Sequence, residues 1–220
     1  RVYVNRVWGH LIGSYLVKTP SDFGLQGSKP THPQLLDWLV TDFIDHGWST
    51  KHLVRRIVLS QVYQQSSTTR EHPASHDPLN QLLWRANRKH LRIEAIRDSM
   101  LSASGDLNLK VGGHSSLLWG KKYTKRRTVY GFINRFNLDP TLRAFDFPAS
   151  VQTSTSRGES IVPQQALFTL NSPFVIDQAT ALTTGKQFQT IETNKDKITY
   201  LFRCILGRQP APSEQEQAMK

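Results

Sequence analysis

Helix punctuation recurs along the whole chain, and it limits the possible folds more than any other feature. The clearest case is THPQLLDWLVTDFIDHG, residues 31–47. Pro33 stands in the first turn, where its missing N–H costs nothing, and Thr31 and Gln34 have capping-box spacing. Leu35/Leu36, Leu39/Val40 and Phe43/Ile44 repeat at helical spacing until Gly47 supplies a left-handed stop. The same grammar places Ser49 ahead of a stripe made by Leu53, Val54, Ile57, Val58 and Val62. It ends a helix around Ile93, Ile96 and Met100 at Gly105, and it marks further starts at Asp77-Pro78, Asp139-Pro140, Pro163, Ser172-Pro173, Asn194 and Ser213/Glu216. The opening run, with Val2, Val4, Val7, Trp8 and Leu11, reads as a helix too. Only RTVYGFINR, residues 127–135, reads as a strand, and no repeat of roughly 20–50 residues suggests a solenoid.

These signals predict a mainly α protein: an irregular multi-helix bundle with long loops and at most a minor β element. The expected organisation is one domain over 1–220, with N-terminal helices in 1–64, a basic middle in 77–135 and C-terminal helices in 139–220. Because Arg1 and Lys220 both fall inside helical runs, the chain reads as an excerpt of a longer one. Trp8, Trp38, Trp48 and Trp84 are expected to supply core area. The single cysteine, Cys204, excludes an internal disulfide framework and reads as a small core residue among Ile198, Leu201, Phe202, Ile205 and Leu206. No apolar run approaches the ~20 residues needed to span a bilayer.

Net charge is +11, and its distribution matters more than its total. Residues 85–127 hold eleven basic and three acidic side chains and so supply eight of those eleven charges. Such a field favours anionic partners: nucleic acid, acidic polysaccharide, anionic lipid or an acidic domain. The densest part is KKYTKRR, where Lys121, Lys122, Lys125, Arg126 and Arg127 surround Tyr123 and form the candidate anion-binding patch. No helix-turn-helix, RNA-recognition or zinc-finger signature accompanies it, so nucleic acid ranks below an anionic glycan or an acidic protein surface.

Familiar catalytic signatures are missing. Asp22-Phe23-Gly24 looks like the magnesium-binding tripeptide of kinases, but no His-Arg-Asp loop or glycine-rich phosphate loop accompanies it. It reads instead as a turn in which Asp22 accepts backbone hydrogen bonds. There is no Gly-x-Ser-x-Gly, no P-loop spacing and no His-Glu-x-x-His. His72 and His76 are four apart, but Pro73 and Pro78 are expected to spoil the helix that would align them. The other histidines look scattered, so no metal site is expected.

Several strings occur in order: VNRVWGHLIGSYLV, TPSDFGLQGSKPTHPQLLDWL, HGWSTKHLVRRIVLSQVYQQSS, DPLNQLLWRAN, LRIEAIRDSMLSASG, FDFP and VPQQALFTLNSPFV. Together they closely resemble the family called domain of unknown function 1553, abundant in planctomycetes and related bacteria. Gln64 stands where that family often carries arginine. The resemblance implies a helical module at the C-terminal side of a large multidomain bacterial protein. It further implies an extracytoplasmic location, in the periplasm or at the cell surface. Upstream domains of the same protein, often cytochrome-c-like, are the implied partners. No cofactor is expected within this segment, since it holds no Cys-x-x-Cys-His; a haem would belong to an upstream module. The resemblance brings no reaction and no catalytic residue with it.

The residues themselves offer two polar groups. Glu94, Arg97 and Asp98 share one side of a helix, where two carboxylates bridged by an arginine are either an acid–base pair or a structural ion-pair cluster. Few protein partners in a wet concavity would favour catalysis; buried basic or backbone partners would favour a scaffold. Asn5, Arg6, Asp22, His32 and Asp37 lie in the N-terminal motifs and either converge on a polar pocket or cap and satisfy loops, Asn5 and Arg6 serving the carbonyls of residues 24–30. Arg157 and Glu159 in TSTSRGES add hydrogen-bonding capacity ahead of the VPQQALFTLN segment. The leading reading is thus a structural or interaction module with a basic surface. An enzyme or binding domain for anionic polysaccharide and a nucleic-acid binder stand as alternatives.

Overall fold

A computed structural model describes residues 1–154 and 156–219, so Thr155 of TSTSRGES lies outside the described residues. The fold is mainly α, with eleven α-helices and no sheet among the described residues. The chain forms two compact units, residues 1–90 and 91–220. Their division falls inside the segment read as the basic middle.

In the first unit, α1 (Val2–Ile12), α2 (Pro33–Asp45) and α3 (Thr50–Val58) pack pairwise against one another. The stripes predicted from spacing make the core: Val4, Trp8, Leu36, Leu39, Phe43, Leu53 and Ile57 are all buried. Each fully buried aliphatic side chain contributes about 1.5–3 kcal/mol. The expected Ser49 cap forms, its hydroxyl accepting from the His52 N–H at 3.3 Å. The expected Thr31 cap does not. His32 occupies the N-cap position without a side-chain bond to the helix N–H groups, while the Thr31 hydroxyl turns to the Leu16 carbonyl at 3.4 Å. Trp38 and Trp48 are 52% and 65% exposed, so only Trp8 of the four tryptophans belongs to the core.

The return from α1 depends on two small-scale fits. Gly9 lies against the Tyr15 ring, and a Cβ there would collide with it. Asn5, fully buried, donates to the Val17 carbonyl at 3.0 Å and accepts from the Val17 N–H at 2.9 Å. Asn5 therefore serves residue 17 and not the 24–30 loop. Lys89 reaches the His10 and Leu11 carbonyls at 3.2 and 2.9 Å, placing a cation at the C-terminal end of α1. Against expectation, residues 71–76 form a short helix, α4 (Glu71–His76). Pro73 falls in its first turn, where proline is tolerated, and the His72 and His76 rings stack at 4.7 Å. Asp77-Pro78 starts no helix; the Asp77 carboxylate caps a turn through the Gln81 and Leu82 N–H groups at 2.9 and 2.7 Å.

The second unit centres on α5 (Ile93–Ala103), which packs against α8 (Pro173–Thr184) and α10 (Asn194–Leu206). Around them lie α6 (Pro140–Ala144), α7 (Pro163–Asn171), α9 (Lys186–Gln189) and α11 (Pro212–Ala218). Asp139 caps α6 as its spacing predicts, accepting from Thr141 N–H at 2.8 Å. Thr193, one residue before the expected Asn194, caps α10. The expected strand at 127–135 is absent: Thr128–Tyr130 is a 3-10 turn, and only isolated bridges (Asn108 to Arg126, Ser116 to Gly131) occur nearby. A β-branched and aromatic string without a paired neighbour has no ladder to join. Cys204 is half-buried, on a helix with no fully buried residue.

Asn5→Ala would leave both Val17 backbone groups without partners in a sealed position. The expected loss is about 1–3 kcal/mol per orphaned group, read as a lower urea midpoint with an unchanged slope.

Candidate functional site

The site grows from one face of α5. Arg97 turns inward and is completely buried. Its Nε donates to the Leu118 carbonyl at 3.3 Å, and Nη1 donates to the Arg126 carbonyl at 3.0 Å and the Thr128 hydroxyl at 3.3 Å. Its Nη2 donates to the Thr124 carbonyl. The Trp119 and Phe174 rings lie 5.6 and 5.2 Å from the guanidinium carbon. Burial pushes the Arg97 pKa down while Asp98 opposes that shift; guanidinium starts high enough to remain charged. Arg97 therefore does not bridge the two carboxylates, as spacing suggested. It gathers the carbonyls of a long irregular loop.

Glu94 and Asp98 have other partners. Arg157, whose side chain is 10% exposed, holds both Glu94 oxygens at 2.9 Å in a bidentate fork. Arg157 also donates to the Asp146 carbonyl at 3.1 Å. Burial would raise the Glu94 pKa, but the Arg157 hydrogen bonds and charge outweigh it and hold the group below its ordinary value. Asp98 accepts from the Thr128 N–H and hydroxyl at 2.7 and 2.6 Å. The Thr128 hydroxyl thus passes a hydrogen bond from Arg97 on to Asp98. Both carboxylates line a cavity of about 480 Å³, together with Arg127, Leu118, Ile133 and Phe147. They face a concavity, then, with both Glu94 oxygens and Asp98 Oδ1 engaged and Asp98 Oδ2 left 3.7 Å from Arg127.

The five cations of KKYTKRR divide. Lys125 pairs with Asp106 at 2.8 Å, and that contact raises its pKa. Arg126 donates to the His114 carbonyl at 3.1 Å and the Gly112 carbonyl, and it lies 3.9 Å over the Tyr130 ring. Arg127 stands 3.7 Å from Asp98. Lys121 and Lys122 are exposed at the tip of a loop closed by the Thr124 N–H and the Leu117 carbonyl at 2.8 Å. They form no hydrogen bond or ion pair among the described residues. Tyr123 is not available for stacking: its hydroxyl bonds Asp177 at 3.2 Å and Gln178 at 2.9 Å, and its ring meets Phe174 edge-on.

The N-terminal polar residues do not converge. Asn5 is sealed against Val17, Asp22 caps its own turn through the Gly24 N–H at 2.9 Å, and His32 bonds Thr31 at 3.0 Å. Asp37 is exposed and pairs with Arg1, whose Nε lies 2.6 Å away. Arg6 is exposed.

A different polar group forms where none was expected. Asp42 on α2 is nearly sealed, and His46, His52 and Arg56 surround it. Burial would raise the Asp42 pKa, yet hydrogen bonds from Arg56 and His52 bring it below its ordinary value. The sequence carried a signal for this group: Asp42 and His46 stand one helical turn apart, and His52 follows the Ser49 cap. Treating the histidines as scattered missed it because the α2–α3 turn, not their spacing, unites them.

Two outcomes test this reading of the second unit. Replacing Arg97 with lysine, which keeps the charge but loses the fork, should cost several kcal/mol, about 1–3 for each acceptor left unpaired, measured by urea unfolding. Glu94→Gln should lower stability near neutral pH. Because the Glu94 pKa is depressed on folding, the wild-type advantage should fade as pH falls from the ordinary carboxylate range through the folded value, seen as converging melting curves in acid.

No curated protein and no solved structure matches the chain. A family model, described as PSD1, protein of unknown function (DUF1553), matches residues 1–220, the full length. The chain is therefore a member of the DUF1553 family, as its ordered motif series indicated.

Proposed function

We propose that this chain is a non-catalytic interaction module of an exported multidomain bacterial protein, presenting a basic, partly apolar surface to an acidic protein partner. The observation that carries the reading is the engagement of the two best catalytic candidates. Both Glu94 oxygens are held by Arg157, and Asp98 Oδ1 is held by Thr128. A general acid needs a raised pKa and a general base an oxygen that binds protons well; Glu94, ion-paired to Arg157 and held below its ordinary value, suits neither role.

Apolar exposure favours a protein over a glycan or nucleic acid. Leu117, at the base of the Lys121–Lys122 loop, and Phe132 are 60% and 53% exposed and line one cavity of about 230 Å³. Lysines beside exposed aliphatic and aromatic side chains suit an acidic protein surface with an apolar centre. Edge-on contacts with Phe174 engage Tyr123 and Trp119, the aromatics nearest the lysines, and so leave neither ring face-on for a base. Upstream domains of the same protein, including a cytochrome-c-like one, are the partners this reading favours.

A second reading rests on the 480 Å³ cavity, whose size is that of a small-ligand site. There Arg127 and Asp98 would contact a polar ligand such as an anionic sugar.

Carbodiimide joins lysine to carboxylate without a spacer. On the intact full-length protein it should yield adducts at Lys121 or Lys122 that are lost in Lys121→Glu/Lys122→Glu. Absence of any adduct at Lys121 and Lys122 in the wild-type protein would refute the docking role. Weakened heparin retention without any protein adduct would transfer the surface to a glycan.

A further inference from the structure

We propose that Asp42, His46 and His52 form a divalent transition-metal site, with zinc the ion best suited to its two-nitrogen, one-oxygen donor set. One nitrogen from each ring and one Asp42 oxygen lie within 4.8 Å of one another. His52 Nε2 stands 2.9 Å from Asp42 Oδ2, and His46 Nδ1 stands 3.4 Å from Asp42 Oδ1. The two imidazoles stack at 3.8 Å with an 11° interplanar angle, and since nitrogen lone pairs lie in the ring planes, the more exposed His46 ring must turn for both to share an ion. Imidazole and carboxylate are the ligands zinc takes in three-residue sites, where a fourth position stays open to water.

Three further features fit a metal better than a surface ion pair. The Asp42 side chain is 7% exposed and His46 47%, so a sealed anion has one open side through which an ion can enter. The His46 Nδ1 also lies 2.8 Å from the Asp42 carbonyl, a contact within one helical turn that holds the ring beside the carboxylate. Arg56 is the rival cation. Its Nη2 is 3.3 Å from Asp42 Oδ1, but the side chain is 48% exposed and also rests over Trp38 at 5.6 Å. A half-exposed guanidinium at that distance can withdraw onto the indole when an ion takes the carboxylate. The His72–His76 pair, by contrast, has no third ligand among the described residues.

The test is calorimetric titration of the 220-residue chain with zinc, followed by cobalt absorption spectroscopy. One ion per chain is expected, with the visible d–d bands of low-coordinate cobalt. His52→Gln should weaken binding at least ~10-fold, in the range seen when a metal site loses a supporting group. Arg56→Gln should tighten binding by removing the competing cation. Should His52→Gln fail to fold by circular dichroism, the more exposed His46→Gln gives the same reading. The proposal is overturned if folded protein takes up no zinc. It is equally overturned if His46→Gln/His52→Gln binds as before, or if His72→Gln/His76→Gln abolishes binding instead.

Discussion

Irregular backbone brought into a protein interior must find hydrogen-bond donors, and the second unit meets that demand with a single buried cation. Arg97 supplies donors to the carbonyls of Leu118, Thr124 and Arg126 and to the Thr128 hydroxyl. Its own charge is never matched by a close carboxylate; Asp98 comes no nearer than 3.9 Å. The guanidinium is instead solvated by carbonyl dipoles and two aromatic faces, which replace the water lost on burial. Leu118 and Trp119 sit in the loop so gathered; Leu118 lines the cavity, and Trp119 packs edge-on against Phe168 and Phe174. Loss of the fork would release the loop, and with it the wall that Glu94 and Asp98 face.

The first unit solves the same problem with two amides and a lysine. Asn5 closes on Val17, and Asn87 and Lys89 cover the last carbonyls of α1. Here too, positive charge that looked like surface field is spent on backbone oxygen. The strongly basic stretch 85–127 is therefore in good part a set of internal donors. Lys89 and Arg88 serve carbonyls of the first unit, and Arg97 and Arg126 serve carbonyls of the second. Long-range attraction of anions persists, since none of these cations is neutralised by a carbonyl. What changes is which side chains remain free to touch a partner, and Lys121 and Lys122 are the clearest of them.

Some of the candidate site was readable in advance. The helical placement of Glu94, Arg97 and Asp98 on one side of α5 follows from spacing, and so does their likeness to an ion-pair cluster. Spacing gave no warning that Arg97 would turn inward, because an arginine's partners here lie 21 to 31 residues away in a loop without periodicity. Arg157 finds Glu94 across 63 residues for the same reason. The Asp42 group was missed differently. Its members are close in sequence, yet only a left-handed turn at Gly47 and Trp48, with φ of 67° and 60°, folds α3 back so that His52 meets Asp42.

Local chemistry alone determined the helices of this protein. Caps, first-turn prolines and apolar stripes act within a few residues, so α2, α3, α5, α6, α7 and α8 could be placed from the sequence, as could family membership from the order of its motifs. Tertiary structure alone decided which polar side chains became scaffold and which stayed free. That choice is made by carbonyls and carboxylates brought near by distant segments. A residue's hydrogen-bond partner is a property of where the chain returns, which no short-range pattern contains.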